Sequence, residues 1–136
     1  MKNLIARTLA LLLAFGLIIF FPSFNTLQEP WTIPAKYKKM INPSAYDGEG
    51  KMVAKQLYSK HCKSCHGKKG LGDGPKAKEL DTPSGDFSLP EFHAQTDGFL
   101  FYKTTFGRDD MPAFDKKIPS DEDRWLLIHY MRTFKK

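Results

Sequence analysis

HCKSCHGKKGLGDGP, residues 61–75, holds both cysteines of the chain, Cys62 and Cys65, with His66 directly behind the second. On a helix, positions i, i+3 and i+4 share one side. The two sulfurs and the imidazole are therefore expected to project together. Behind them Gly67, Gly70, Gly72, Gly74 and Pro75 exclude regular structure. A loop is expected to follow the motif at once.

The compartment decides how the thiols read. The chain opens MKNLIARTLALLLAFGLIIFFPSF, in which Lys2 and Arg7 precede an apolar run of 13 residues, Leu9–Phe21. This pattern is that of an export segment. The run is shorter than the roughly 20 residues that span a bilayer. Yet nothing from Thr8 to Gln28 is charged, so residues 4–24 read either as a signal peptide or as a retained membrane tether. No Ala-x-Ala cleavage pattern and no lipoprotein cysteine follow the run. The expected location is the periplasm, free or anchored to the inner membrane. There, neighbouring thiols oxidise, but a disulfide closing so short a loop is strained and exchange-prone. The thiols are expected to have another use.

Three stretches follow: residues 1–25 as signal peptide or anchor, 26–46 as a Pro- and Lys-containing linker, and 47–136 as the domain. The linker is broken by Pro30, Pro34 and Pro43. It reads as a solvated spacer, with the alternative that Trp31, Ile33 and Tyr37 pack on the domain or at the lipid interface. Net charge is +6, and the four arginines (Arg7, Arg108, Arg124, Arg132) are scattered. That argues against a nucleic-acid partner and suits an acidic protein or a membrane surface.

Gly48–His61 reads as a helix capped by Asp47, with Val53, Leu57 and Tyr58 near one face. A shorter helix is expected over Asp97–Phe106. Ser120-Asp121-Glu122-Asp123 is a capping box, and Trp125, Leu127, Ile128, Tyr130, Met131 and Phe134 make a broad apolar stripe behind it. Residues 81–93 and the segment around Met111 read as loops. No alternating strand pattern occurs, so the predicted class is all-α: three or four short helices with long loops. Loops of that length argue against a compact domain unless something organises them. A large apolar cofactor at the centre would.

Cys-x-x-Cys-His is the spacing for covalent attachment of haem c. Both thiols are consumed as thioethers and His66 is placed to reach the iron. The rivals are weaker: zinc lacks a second ligand pair, and a redox dithiol lacks a strand–helix–strand context. For the sixth iron position, Met111 lies in a loop and is stiffened by Pro112. The competitors are Met40, Met52, Met131, His93 and His129, with an open site as a further alternative. Met52 and Met131 fall in helical patterns that suit core packing. A carbonyl is expected to accept from the second ring nitrogen of His66, and the glycine loop ending at Pro75 is a candidate to bring one there.

From about Gly50 to Phe134 the chain resembles the class I mono-haem cytochrome c family of bacteria. The residues that carry the resemblance are Gly50, Leu57-Tyr58, Cys62 to Gly67, Gly72 to Pro75, Asp97-Gly98, Gly107 ahead of Met111-Pro112, and Trp125 with Tyr130. The resemblance implies the cytochrome c fold wrapped around one haem. It also implies a close crossing of the first and last helices, in which Gly50 leaves room for an aromatic such as Tyr130. Pro75 is implied as the carbonyl partner of His66, and Met111 as the distal ligand. Residues 76–96 are longer than in the smallest members.

Filling both axial positions leaves no place for a substrate, and a thioether favours ferrous iron. The expected role is therefore single-electron transfer between respiratory redox partners, not catalysis. The alternatives are a haem-bearing subunit of a larger membrane oxidoreductase, and an enzyme or gas sensor with an open iron. Lys60, Lys63, Lys68, Lys69, Lys76 and Lys78 crowd the motif. They read either as solvated surface or as a positive rim that steers an acidic partner.

Overall fold

A computed structural model of the chain describes residues 30–136. The expected export segment, residues 1–25, lies outside the described residues. Within them six α-helical segments occur: α1 (Ala35–Lys38), α2 (Gly48–His61), α3 (Lys63–His66), α4 (Pro90–His93), α5 (Asp97–Phe106) and α6 (Asp121–Arg132). One 3-10 turn spans Ala77–Glu79. Only α2, α5 and α6 exceed a single turn. No strand forms among the described residues, and the one β-bridge joins Arg108 to Met111. The fold is all-α, as the patterns predict, and no described helix is long and apolar enough to cross a membrane.

The helix ends form where the cap residues dictate. Asp47 accepts from the Gly50 N–H at 2.9 Å, Thr96 from Phe99 at 3.3 Å, and Ser120 from Asp123 at 3.2 Å. Each side chain satisfies a donor that the first helical turn leaves open. The three acids behind Ser120, Asp121, Glu122 and Asp123, suit the positive helix end.

The core sits where α2 and α5 pack on α6. It is built from Tyr58, Leu100, Phe101, Trp125, Leu127, Ile128 and Met131. Phe101 and Trp125 stack with centroids 4.0 Å apart. Each fully buried aliphatic side chain of this kind contributes about 1.5–3 kcal/mol. The α2–α6 crossing is close, as expected, but its partner differs from the expected one. A Cβ on Gly50 would lie 2.8 Å from Leu126 Cδ2 and 2.9 Å from the Ala45 carbonyl. Leu126, not Tyr130, fills the notch. Tyr130 lies one turn further along α6 and packs instead on Tyr58 and Phe134, at 5.2 and 5.3 Å.

Residues 30–46 do not behave as a solvated spacer. Ile33 is buried. Tyr37 packs edge-on against Tyr102 and Phe106 of α5. Further on, Asn42 donates to the Trp125 carbonyl at 3.0 Å, His129 is bonded to the Ser44 carbonyl at 3.1 Å, and Tyr46 stacks on the His129 ring. Leu126, outside the expected apolar stripe, is buried as well, so α6 is covered on more sides than its periodicity implies.

The remaining loops are held by side chains. Arg132 donates to the carbonyls of Phe92, His93 and Gln95 and pairs with Asp97 at 2.7 Å. It fixes the turn between α4 and α5. Residues 90–93, expected as loop, form the single turn α4 with Pro90 at its start.

Candidate functional site

The end of α2 and the short α3 carry the Cys-x-x-Cys-His motif. The His66 N–H bonds to the Cys62 carbonyl at 2.9 Å, and that of Cys65 to the same oxygen at 3.2 Å. This i→i+4 and i→i+3 pairing puts all three side chains on one wall, as the spacing requires. The motif is anchored from behind by the Tyr58 hydroxyl, which donates to the Gly67 carbonyl at 2.8 Å.

That wall belongs to a cavity of about 410 Å³ lined by Cys62, Cys65, His66 and Met111. Met40, Met52, Met131, His93 and His129 do not line it. Met131 is buried in the core and Met52 is 62% exposed on α2. His93 packs edge-on against Phe92, and His129 is taken by Ser44 and Tyr46. One imidazole that the sequence reading did not weigh does line the cavity. It is His61, which packs edge-on against Phe114.

Met111 is presented by a tight turn after α5. Arg108 and Met111 exchange backbone hydrogen bonds of 2.8 and 2.9 Å, with Asp109 in the left-handed region at φ 53°. Gly107 makes the turn. Its φ is +61°, and a Cβ there would lie 2.3 Å from the Met111 carbonyl oxygen. Only glycine takes this conformation without strain.

The glycine loop does not carry its expected bond. Gly72, Gly74 and Lys76 donate to the carbonyls of His66, Cys65 and Ser64, at 3.0, 3.1 and 2.9 Å. Pro75 is thus held beside the motif, but its carbonyl makes no bond to the ring. The loop spends its bonding on the backbone of α3 instead, and His66 Nδ1 is buried without a hydrogen-bond partner.

Electrostatics keep the wall neutral. Burial pushes the His66 imidazole down to about 4, opposed in part by the backbone of Ser84. At neutral pH the ring is therefore uncharged, the form that ligates a metal. Burial, and secondarily Cys65, pushes the Cys62 thiol up to about 12. The Phe87 ring stacks on His66 at 4.5 Å and on Phe92 at 4.5 Å. Phe87 was missed from sequence; the only signal for it is an aromatic residue within a polar loop.

The donor set fits haem. Two free thiols and a neutral imidazole with a buried unbonded nitrogen share one wall of a largely apolar cavity. A thioether stands on the same cavity. Among the described residues no three His, Cys, Asp or Glu side chains close around a point as a zinc site requires.

A family model described as cytochrome c oxidase, cbb3-type, subunit III matches residues 50–131. The chain belongs to that cytochrome c family. Its cofactor is accordingly haem c, with iron, attached through Cys62 and Cys65, and its chemistry is electron transfer. Two solved structures are similar to the cytochrome. One is titled Kuenenia stuttgartiensis reducing HAO-like protein complex Kustc0457/Kustc0458. It is 26% identical, with a TM-score of 0.63 over 82% of this chain and 53% of that one. The cytochrome thus spans about half the length of that relative. The other is the KustC0563 c-type cytochrome, 27% identical, with a TM-score of 0.53 over 61% of this chain and 98% of that one. No curated protein matches the chain.

Proposed function

We propose that the chain is an exported mono-haem cytochrome that passes single electrons between respiratory redox partners, with its iron held between His66 and Met111. The observation that carries this is the presence of both side chains on the cavity that also receives Cys62 and Cys65. Bound haem supplies reversible one-electron chemistry. The chain's residues do the rest. Cys62 and Cys65 hold the group, His66 offers a neutral nitrogen, and the Gly107 turn offers the Met111 sulfur. Held by both His66 and Met111, the group would supply one-electron transfer, and the chain would act as a carrier rather than an enzyme. Pro75 remains the candidate to accept from His66 once the ring is oriented by its metal.

Lys60, Lys63, Lys68, Lys69, Lys76 and Lys78 are all exposed around the motif. They support brief docking of acidic partners whose rate falls with salt. The export segment supports a periplasmic location, with residues 4–24 as a tether if retained.

Met111→Ala tests the ligation. The variant should lose the weak long-wavelength absorption of iron–sulfur bonding, bind carbon monoxide and show a lower reduction potential. An unchanged spectrum would mean that another group fills the position.

A second reading is a permanent haem subunit of a larger oxidoreductase. It is favoured by the subunit described in the matching family model and by the complex to which one similar structure belongs. Gel filtration of a native membrane extract after a high-salt wash separates the two. Co-migration with a large complex supports the subunit; a small, free species supports the carrier.

A further inference from the structure

Two cations converge on one aromatic ring at the cavity's edge. The Arg108 guanidinium carbon lies 4.4 Å from the Trp31 ring centroid and Lys103 Nζ lies 5.4 Å from it. All three residues line the cavity. Like charges held this close repel unless an anion lies between or beside them. Arg108 pairs with Asp109 at 3.1 Å, but that carboxylate is 53% exposed. Lys103 has no carboxylate partner among the described residues; its amine donates to the Gln95 side chain. Burial, then Arg108, lowers the Lys103 pKa, so its charge is held against an unfavourable setting. Of the acids that line the cavity, Asp110 accepts from the Thr82 N–H at 3.0 Å and Asp86 from the Ser88 N–H at 2.7 Å. The third, Glu91, is exposed on α4.

The position of Trp31 is not accidental. The chain behind it is fixed to the domain by buried Ile33, by Tyr37 on α5 and by Asn42 on α6. Tyr102 meets the indole edge-on at 6.5 Å. The segment ahead of α2 therefore delivers a residue to the cofactor cavity.

The group that fits is a dianion with an apolar body. A porphyrin has one edge bearing two carboxylates, and the motif fixes its opposite, vinyl-derived side. We propose that Trp31, Lys103 and Arg108 seat the carboxylate edge of the porphyrin, so that residues 30–46 are part of the cofactor site and not a spacer. The inference rests on the haem reading above. It adds that Lys103 and Arg108 bind carboxylate by charge-assisted hydrogen bonds, with the indole holding both cations in place.

The test uses the full chain matured with haem. Lys103→Met and Lys103→Arg are compared with the parent, and Lys55→Met on the exposed face of α2 serves as control. Resonance Raman spectra of the haem carboxylate bending modes and the midpoint potential are the readouts. Lys103→Met should shift the carboxylate modes and lower the potential, because a positive charge beside the iron favours the ferrous form. Lys103→Arg should restore both, and Lys55→Met should change neither. If Lys103→Met fails to retain haem, Trp31→Leu gives the same reading of the carboxylate modes. Modes identical to the parent's, with a drop in potential no larger than for Lys55→Met, overturn the seat. Failure of the haem reading looks different: a parent protein that yields its pigment to acidified acetone.

Discussion

The Tyr58 hydroxyl donates to the Gly67 carbonyl across 2.8 Å, tying the residue behind the attachment motif to the last turn of α2. Burial raises the Tyr58 pKa above its ordinary 10, and it does so in the holoprotein too, where Cys62 is a thioether and carries no charge. A group with a raised folded pKa contributes stability that is complete below its unfolded pKa and lost as pH rises through the folded value. Tyr58→Phe should therefore reduce the stability of the holoprotein by about 1–2 kcal/mol at neutral pH, through the lost bond and the unsatisfied carbonyl. The gap should narrow above about pH 10. Guanidinium titrations at neutral and alkaline pH check this, and a gap that stays constant throughout would remove the phenol from the alkaline limb.

Gly107 is the hinge of the proposed sulfur ligand. With φ at +61° and the Met111 oxygen 2.3 Å from any Cβ, Gly107→Ala must move the turn. A positive φ combined with ψ of 177° is a conformation essentially restricted to glycine, costing another residue about 1–3 kcal/mol, and the clash adds to it. The expected result is partial loss of the long-wavelength iron–sulfur absorption while haem stays covalently attached. Absorption spectroscopy on purified variant protein decides it. A spectrum equal to the parent's would mean that the turn does not set the Met111 position.

The three long helices were legible because their signals are local. Asp47, Thr96 and Ser120 each cap a helix through a bond within three residues, and apolar spacing marks the buried faces. The motif was legible for the same reason: Cys62, Cys65 and His66 occupy one stretch of five residues. What the sequence hid is long-range. Leu126 falls outside the expected apolar stripe and Tyr130 within it, so nothing in the sequence marks Leu126 as the partner of Gly50. Trp31, Ile33 and Tyr37 read either as part of a Pro-broken spacer or as packed on the domain, and only the fold, with Ile33 buried and Tyr37 against α5, decides between the two. Arg132 looks like a charge that suits a helix C-terminus, and only the fold brings three carbonyls and Asp97 to its guanidinium.

The Gly50 notch makes a prediction about coupling. Gly50→Ala places a methyl 2.8 Å from Leu126 Cδ2 and 2.9 Å from the Ala45 oxygen. Overpacking of this kind costs about 1–3 kcal/mol. Leu126→Ala alone should cost about 2–5 kcal/mol as a buried deletion. Together they should cost less than the sum, because the shortened side chain relieves one of the two clashes. A double-mutant cycle by chemical denaturation measures this. Strict additivity would place the whole penalty on the Ala45 carbonyl.

Arg132 offers a test of how the loop beside the cavity is held. Its guanidinium bonds Gln95 O at 2.6 Å, His93 O at 3.2 Å and Phe92 O at 3.3 Å, and pairs with Asp97 at 2.7 Å. Phe92 and Gln95 both line the cavity, and Phe92 stacks on Phe87, which in turn stacks on His66. Arg132→Met keeps most of the aliphatic stem but removes every one of these bonds. Hydrogen bonds to a charged group contribute about 1.5–3 kcal/mol, and several on one side chain do not add fully. A loss of about 2–4 kcal/mol in global stability is expected. The larger effect should be local: amides of residues 92–100 should exchange with solvent faster than those of α2. The His66 end of the stack should then loosen as well, broadening the ring's NMR signals in the ferrous protein. Amide exchange followed by mass spectrometry separates the cases, and uniform acceleration across α2, α5 and α6 would show that Arg132 stabilises the whole fold and does not act on this loop in particular.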